Sequence, residues 1–334
     1  MRALESQAAT LRLLSSRTTI PVPEVYALDT SRNNEIGAPF ICTSFLPGKT
    51  VIKTWFEDSG PIPMEERRLL TLTSLAGCMA QLSAFAFDKI GSLCGDSPDA
   101  IPLGPCFDWD EKDDGTIGVD ASGPFDSTDD YLREHFQLRN SKSEWGVAED
   151  KLIVVIKSCL PVHNPGEGFV LCPPDFDAQN ILTDSDGNVT GIIDWDLVQT
   201  LPRCVGYSRY PSWITRDWDP LMYGWPHLKD TENSPEELER YREHYCRALG
   251  AALAHRGDWS YTKKSHIWEA GWIALLNTVN RLEICRKLLQ AAVGDDDDAT
   301  DILYDLGTGA LEKEKWDSIV DSLTKLFSVH VDPQ

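Results

Sequence analysis

Residues 171–196 read LCPPDFDAQNILTDSDGNVTGIIDWD, and this stretch constrains the fold more than any other. Two short apolar runs, Ile181-Leu182 and Val189 to Ile193, flank the turn sequence DSDGN at 184–188. Apolar, β-branched runs on either side of an Asp/Asn/Gly turn predict a β-hairpin. A hairpin folds its ends together, so Asp194, just past the second run, returns close to Asn180, just before the first. Phe169 to Cys172 predicts a short strand that leads into the loop carrying Asp175. Acidic residues beside such strands ordinarily mark turns and solvated faces. The alternative is that Asp175, Asn180 and Asp194 share one pocket of hard oxygen ligands.

The remainder sets the frame for that hairpin. A chain of 334 residues exceeds the usual size of a single core, which favours two lobes. Leu4, Ala8, Leu11 and Leu14 form one stripe and predict a helix over residues 3–16. TTIPVPEVYALD and APFICTSFLPGKTV predict strands around Val22 to Ala27 and from Phe40 to Phe45, the latter followed by a turn at Pro47-Gly48. Apolar spacing predicts helices over 64–85, 128–138, 146–160, 234–255, 264–291 and 311–328. Trp268, Trp272 and Leu276 fall on one helical stripe and read as core. Residues 91–127, rich in Gly, Pro and Asp, read as a long, partly extended loop, and GDDDDATD at 294–301 as an acidic loop or a helix N-terminus. The expected class is α+β, with a thin sheet-bearing part in front and a mainly helical part behind.

Composition narrows the partners. A net charge of −22 excludes nucleic acid and anionic membranes as expected partners, because both want Lys and Arg. The same charge is compatible with a cationic substrate, though solubility alone accounts for it. No apolar run is long enough for a membrane span, and the N-terminus lacks the apolar core of a signal peptide. Nine scattered Cys, with no CxxC, point to reduced thiols and a cytoplasmic location.

The spacing D-x-x-x-x-N from Asp175 to Asn180, followed by Asp194 after a strand, suits phosphoryl transfer. That chemistry is largely positioning and charge neutralisation. A carboxylate and an amide oxygen facing each other suit Mg²⁺. A second carboxylate, Asp175, is then left to orient a hydroxyl and accept its proton.

FVLCPPDFDAQNILTDSDGNVTGIIDWD resembles the core of the aminoglycoside phosphotransferase family, H-G-D-L-H-x-x-N-I-L followed by G-x-I-D-W-E/D. TTIPVPEVYALD and IGAPFICTSFLPGKTV are similar to its fourth strand and lobe-connecting hinge, and AQLSAFAFDKIGSL to the helix and loop that follow. The resemblance covers roughly residues 1–225 and is to the fungal branch. It implies a protein-kinase-like two-lobe fold with a truncated N-terminal lobe and a mainly helical C-terminal lobe. Residues 1–50 would form the partial N-terminal lobe and hinge, and residues 51–334 the helical lobe with catalytic loop and hairpin. By the same resemblance, Asp175 is the catalytic base, Asn180 and Asp194 hold Mg²⁺, and Trp195 stands where the kinase D-F-G motif has Phe. Asp196 is a supporting acid. Segment 40–48, with Phe45 and Leu46, would line the adenine pocket of ATP through backbone groups. The acceptor would be a small molecule bearing a hydroxyl.

Three departures from the family pattern bear on activity. No glycine-rich phosphate loop and no Lys-bearing strand is expected ahead of the first helix, since the sequence starts at Met1 inside it. The Gly48-Lys49-Thr50 sequence reads as a turn rather than a P-loop end, with Thr43 where the first Gly belongs. Gln7 occupies the position of the family's Lys-pairing Glu, with Glu5 two residues away. Pro173, in the pair Pro173-Pro174, replaces the loop His, and two fixed φ angles stiffen the loop in its place. These departures leave two main expectations: an ATP-dependent small-molecule phosphotransferase from a truncated sequence, or a catalytically impaired, pseudokinase-like binding or scaffold protein. A kinase fold reused for non-phosphoryl chemistry is a third.

Elsewhere, Trp213, Trp218, Tyr223 and Trp225 in segment 208–226 could wall an acceptor pocket. The plainer reading is a packed irregular segment with Arg209 and Arg216 paired to acids. FDWDEKDDGTIGVD at 107–120 could steer a cationic acceptor, but it reads more simply as a solvated loop. His163 and His255 read as structural or exposed.

Overall fold

Helix α1, Arg2–Arg17, buries Ala8, Leu11 and Leu14 and leaves Leu4 half-buried, as its periodicity predicts. The computed structural model describes residues 2–95, 101–111, 117–162, 166, 168–173, 175–294 and 298–329. α1 packs against β1, Val25–Asp29, which pairs antiparallel with β2, Phe40–Thr43. The strand predicted to reach Phe45 ends at Thr43, although Ser44 N–H still donates to Glu24 O at 2.8 Å. The chain then forms β3, Lys49–Thr50, the short helix α2, Val51–Thr54, and α3, Met64–Ala80, which closes in a 3₁₀ turn over Gln81–Ala84.

The stretch read as a loop from 91 to 127 contains paired strands. β4, Ser92–Leu93, pairs with β5, Leu103–Gly104, and β6, Cys106–Glu111, pairs in register with β7, Ile117–Ser122. Cys106 and Phe107 are buried, but Asp108, Asp110 and Glu111 follow them in the same strand, so a polar composition concealed the pairing. α4, Thr128–His135, is capped by Ser127, which accepts from Asp130 N–H, and α5, Glu144–Cys159, is capped by Ser143.

β8, Phe169–Cys172, pairs with β11, Gln199–Pro202. Between them lies the predicted hairpin of β9, Ile181–Thr183, and β10, Val189–Ile192, closed at Gly187 with φ +93° and an Asp184 N–H to Asn188 O bond of 3.0 Å. β3 adds to β9, giving a sheet of order β10-β9-β3. The helical remainder comprises α6, Pro235–Ala252, α7, Trp259–Thr262, α8, Ser265–Leu276, α9, Arg281–Val293, α10, Ala299–Thr308, and α11, Lys313–Phe327. α6 starts with a capping box between Ser234 and Glu237.

The single helix predicted over 264–291 is two helices. The wholly buried Arg281 donates to Ala274 O at 2.7 Å and Leu275 O at 3.0 Å, satisfying carbonyls at the C-terminus of α8. Asn277 is extended there, at φ −115° and ψ 111°. α10 follows the acidic run and is capped by Asp298.

Two buried clusters form the core. One joins Leu14 and Ile20 to Leu75 and Met79 of α3, Ile181 and Ile192 of the hairpin, and Tyr241 of α6. The other is built by α4, α5 and α8 to α11, around Trp268 and Leu288. Strand β8 lies between them, with Val170 and Leu171 in the first cluster and Cys172 in the second. Trp268 and Trp272 are core, as read. All nine cysteines are free. Among the described residues, no helix is long and apolar enough to cross a membrane.

Candidate functional site

The β3–β9 pairing seats the hinge on the hairpin, and two glycines permit the approach. Gly48 has φ +130°, where L side chains are strained, and a Cβ there would meet Thr190 Oγ1 at 2.5 Å. A Cβ at Gly191 would lie 2.8 Å from Leu182 Cδ1 and 2.9 Å from Leu46 Cδ1. Beside this contact lies a cavity of about 350 Å³, lined by Gln7 and Leu11 of α1, residues 43–46 and Gly48 of the hinge, Leu182, and Ile193 to Trp195. The Phe45 side chain is 90% exposed, so Phe45 meets the cavity mainly through its backbone. No hydrogen bond to the described residues engages the backbone of Phe45 or Leu46. Those groups and the apolar lining fit an adenine ring.

Asp194 is exposed at the edge of this cavity, in the left-handed region at φ +61°. Asp tolerates that region better than most residues, and such conformations cluster at functional sites. Trp195, next in sequence, is buried and donates from Nε1 to Ile192 O at 2.9 Å, which anchors the chain after the hairpin. Gln7 donates from Nε2 to Asp196 Oδ1. Burial and the Asp194 charge push the Asp196 carboxyl above its ordinary range, against the opposing Gln7 bond.

The loop after β8 carries the other residues. Asp175 is exposed. Its Oδ2 accepts from Asn180 Nδ2 at 2.9 Å and from Gln179 Nε2 at 2.7 Å. Asn180 Nδ2 also donates to Asp175 O at 3.0 Å, so Asn180 Oδ1 lies outside this contact. Ile193 N–H donates to Asn180 O at 2.9 Å and ties the segment before Asp194 to Asn180. Asp175 and Asn180 are therefore in direct contact, and Asp194 is linked to them through this backbone bond. Asn180 Oδ1 and the Asp194 carboxylate are hard oxygen donors of the kind Mg²⁺ takes, beside waters and phosphate oxygens; the Ile193 N–H bond to Asn180 O links their segments, and of the three residues Asp194 lines the cavity. Among the described residues no group of three or more His, Cys, Asp or Glu gathers as a metal cluster.

Four contacts hold the loop from outside. Ser212 N–H donates to Phe176 O at 2.8 Å and Ile52 N–H to Ala178 O at 3.0 Å. Arg209, buried, donates from Nη2 to Pro173 O at 2.6 Å and from Nη1 to Glu269 Oε1 on α8. Arg216 pairs with Asp177 at 3.0 Å. Both arginines of segment 208–226 thus pair with acids, as expected. The partners Glu269 and Asp177 carry no local signal, since each lies 39 or more positions from its arginine in the chain. Trp213 is core, edge-on to Trp55 at 5.8 Å between ring centroids. His255 is exposed, while His163 and Pro174 lie outside the described residues.

The phosphotransferase enzyme family (APH) matches residues 1–252. Clavilactone A biosynthesis cluster protein Y of Ampulloclitocybe clavipes is 27% identical over 228 residues, 64% of this chain and 54% of its own length. Altered inheritance of mitochondria protein 9 of Candida tropicalis is 30% identical over 92 residues, 27% of this chain and 15% of its own. The chain thus spans about half the length of the first relative and less of the second. The solved aminoglycoside phosphotransferase APH(4)-Ia is 16% identical, covering 96% of this chain and 84% of its own at a TM-score of 0.42. A match that takes in residues 1–252 of 334 covers most of the chain, and by it the protein belongs to the phosphotransferase enzyme family, with an α+β, kinase-like fold.

Proposed function

We propose that the protein is a small-molecule phosphotransferase that moves the γ-phosphate of ATP to a hydroxyl. The observation that carries this reading is the Asp175–Asn180 contact, joined through Ile193 N–H to the hinge cavity edged by Asp194. In this reading Phe45 and Leu46 offer backbone groups to adenine. The exposed Asp175 orients the acceptor hydroxyl and takes its proton as the oxygen bonds to the γ-phosphorus. The β–γ bridging oxygen leaves with ADP. Asn180 and Asp194 would hold Mg²⁺, which supplies charge neutralisation at the phosphates. Residues 1–50 serve as the nucleotide-facing lobe and hinge, and residues 51–334 as the lobe bearing the catalytic loop. A cytoplasmic setting is part of the proposal and is supported by the nine free thiols.

One observation favours a second reading, a nucleotide-poor binding or scaffold protein: among the described residues, no Lys or Arg lines the hinge cavity. Thermal-shift titration separates the two. The phosphotransferase reading expects a shift of several degrees with millimolar Mg·ATP, since a ligand at about 100 Kd adds roughly 2.7 kcal/mol of stability. No shift at that concentration would favour the scaffold.

A further inference from the structure

Between the catalytic loop and α8 lies a second cavity, of about 210 Å³. Asp177, two residues past Asp175, forms part of its wall, together with Arg216, Trp218, Asp219, His266 and Glu269. Four buried atoms of these residues make no hydrogen bond among the described residues: Glu269 Oε2, Asp219 Oδ1, Trp218 Nε1 and His266 Nδ1. Glu269 itself is only 6% exposed, with Oε1 taken by Arg209. A buried polar atom without a partner costs roughly 1–3 kcal/mol, so four around one hollow call for ordered water or a ligand that satisfies them.

Two of the three acids in the wall are paired with arginines. Arg216 pairs with Asp177 and Arg209 with Glu269, while Asp219 Oδ2 accepts from Asn280 at 2.8 Å. Lys287 Nζ lies 5.4 Å from the centre of the Trp218 ring. His266 is held neutral by burial and by the nearby charges of Arg242, Lys264 and Lys287. The two unpartnered acid oxygens want donors, the indole N–H wants an acceptor, and a hydroxyl supplies both. Ala270 and Ile273 add an apolar side. Roughly 150 Å³ is enough for a benzene ring, so this volume takes one substituted ring, and anything larger extends out past Met222.

We infer that this cavity seats the acceptor, an uncharged single-ring compound carrying several hydroxyl groups, held with one of them toward Asp175. The assignment to an acceptor rests on the phosphotransferase reading, but occupancy of the cavity is measured without nucleotide. Saturation-transfer NMR would use para-hydroxybenzyl alcohol and cyclohexane-1,2-diol as probes and kanamycin as a multi-ring cationic control. Two variants block the hollow: Ile273→Trp, at a half-buried position, and Met222→Trp, at the mostly exposed mouth. The expected result is a signal from an uncharged probe that both variants abolish, no signal from kanamycin, and a Mg·ATP thermal shift that the variants keep. Absence of signal from both uncharged probes, a signal unchanged in a folded variant, or kanamycin displacing the probe would each overturn the inference. Loss of the Mg·ATP shift in the wild type, with probe binding intact, would instead overturn the phosphotransferase reading and leave the cavity as a ligand site.

Discussion

Arg209 Nη2 lies 2.6 Å from the carbonyl oxygen of Pro173, two residues before Asp175. The same guanidinium pairs with Glu269 on α8 and sits 5.9 Å from the centre of the Phe176 ring. The loop that carries Asp175, with Pro173 where the family has His, is thus held by a buried cation anchored to α8.

Replacing Arg209 with Leu strands Glu269 as a buried, unpaired charge. The expected loss is roughly 3–5 kcal/mol, read from urea unfolding. Arg209→Lys keeps the charge but loses the forked geometry and recovers only part of that stability. A loss under 1 kcal/mol in Arg209→Leu would mean that the brace is not structural.

Gly191→Val puts a side chain where a Cβ alone would lie 2.9 Å from Leu46 Cδ1. The hinge must move off the hairpin, so Mg·ATP binding by calorimetry should weaken at least tenfold, about 1.4 kcal/mol. Unchanged affinity in a folded variant would detach the hinge from nucleotide binding.

His266 gives a pH signature. Burial, and then the charges of Arg242, Lys264 and Lys287, hold its imidazole well below the ordinary value of 6.5. Above that pH the ring is neutral in both folded and unfolded chains. As pH falls below it, only the unfolded chain gains the proton, so stability declines by up to about 1.4 kcal/mol per pH unit. His266→Gln should remove that part of the slope, measured by urea unfolding at a series of acid pH values. Parallel wild-type and variant curves would contradict it.

The hairpin and loop were legible because their signals are local: DSDGN closes the turn, and the apolar runs beside it are the strands. What escaped reading is non-local or masked by composition. The β3–β9 pairing joins Lys49 to Thr183, and nothing in Pro47-Gly48-Lys49-Thr50 announces a strand. The break between α8 and α9 is made by a buried Arg281 that looks, in sequence, like one more exposed helical charge. β6 carries enough Asp and Glu to pass for a loop. The cavity beside α8 is lined by both Glu269 and Asp177, 92 residues apart in the chain, which no periodicity reports.

The most direct test of the account is calorimetric titration with ATP, with and without Mg²⁺, of the wild type and of Asp175→Ala, Asn180→Ala and Asp194→Ala. The account predicts Mg²⁺-dependent binding that falls at least tenfold, about 1.4 kcal/mol, in Asn180→Ala and in Asp194→Ala. Asp175→Ala should keep nucleotide affinity and lose phosphate transfer. Binding that ignores Mg²⁺, or that neither the Asn180 nor the Asp194 substitution alters, would contradict it.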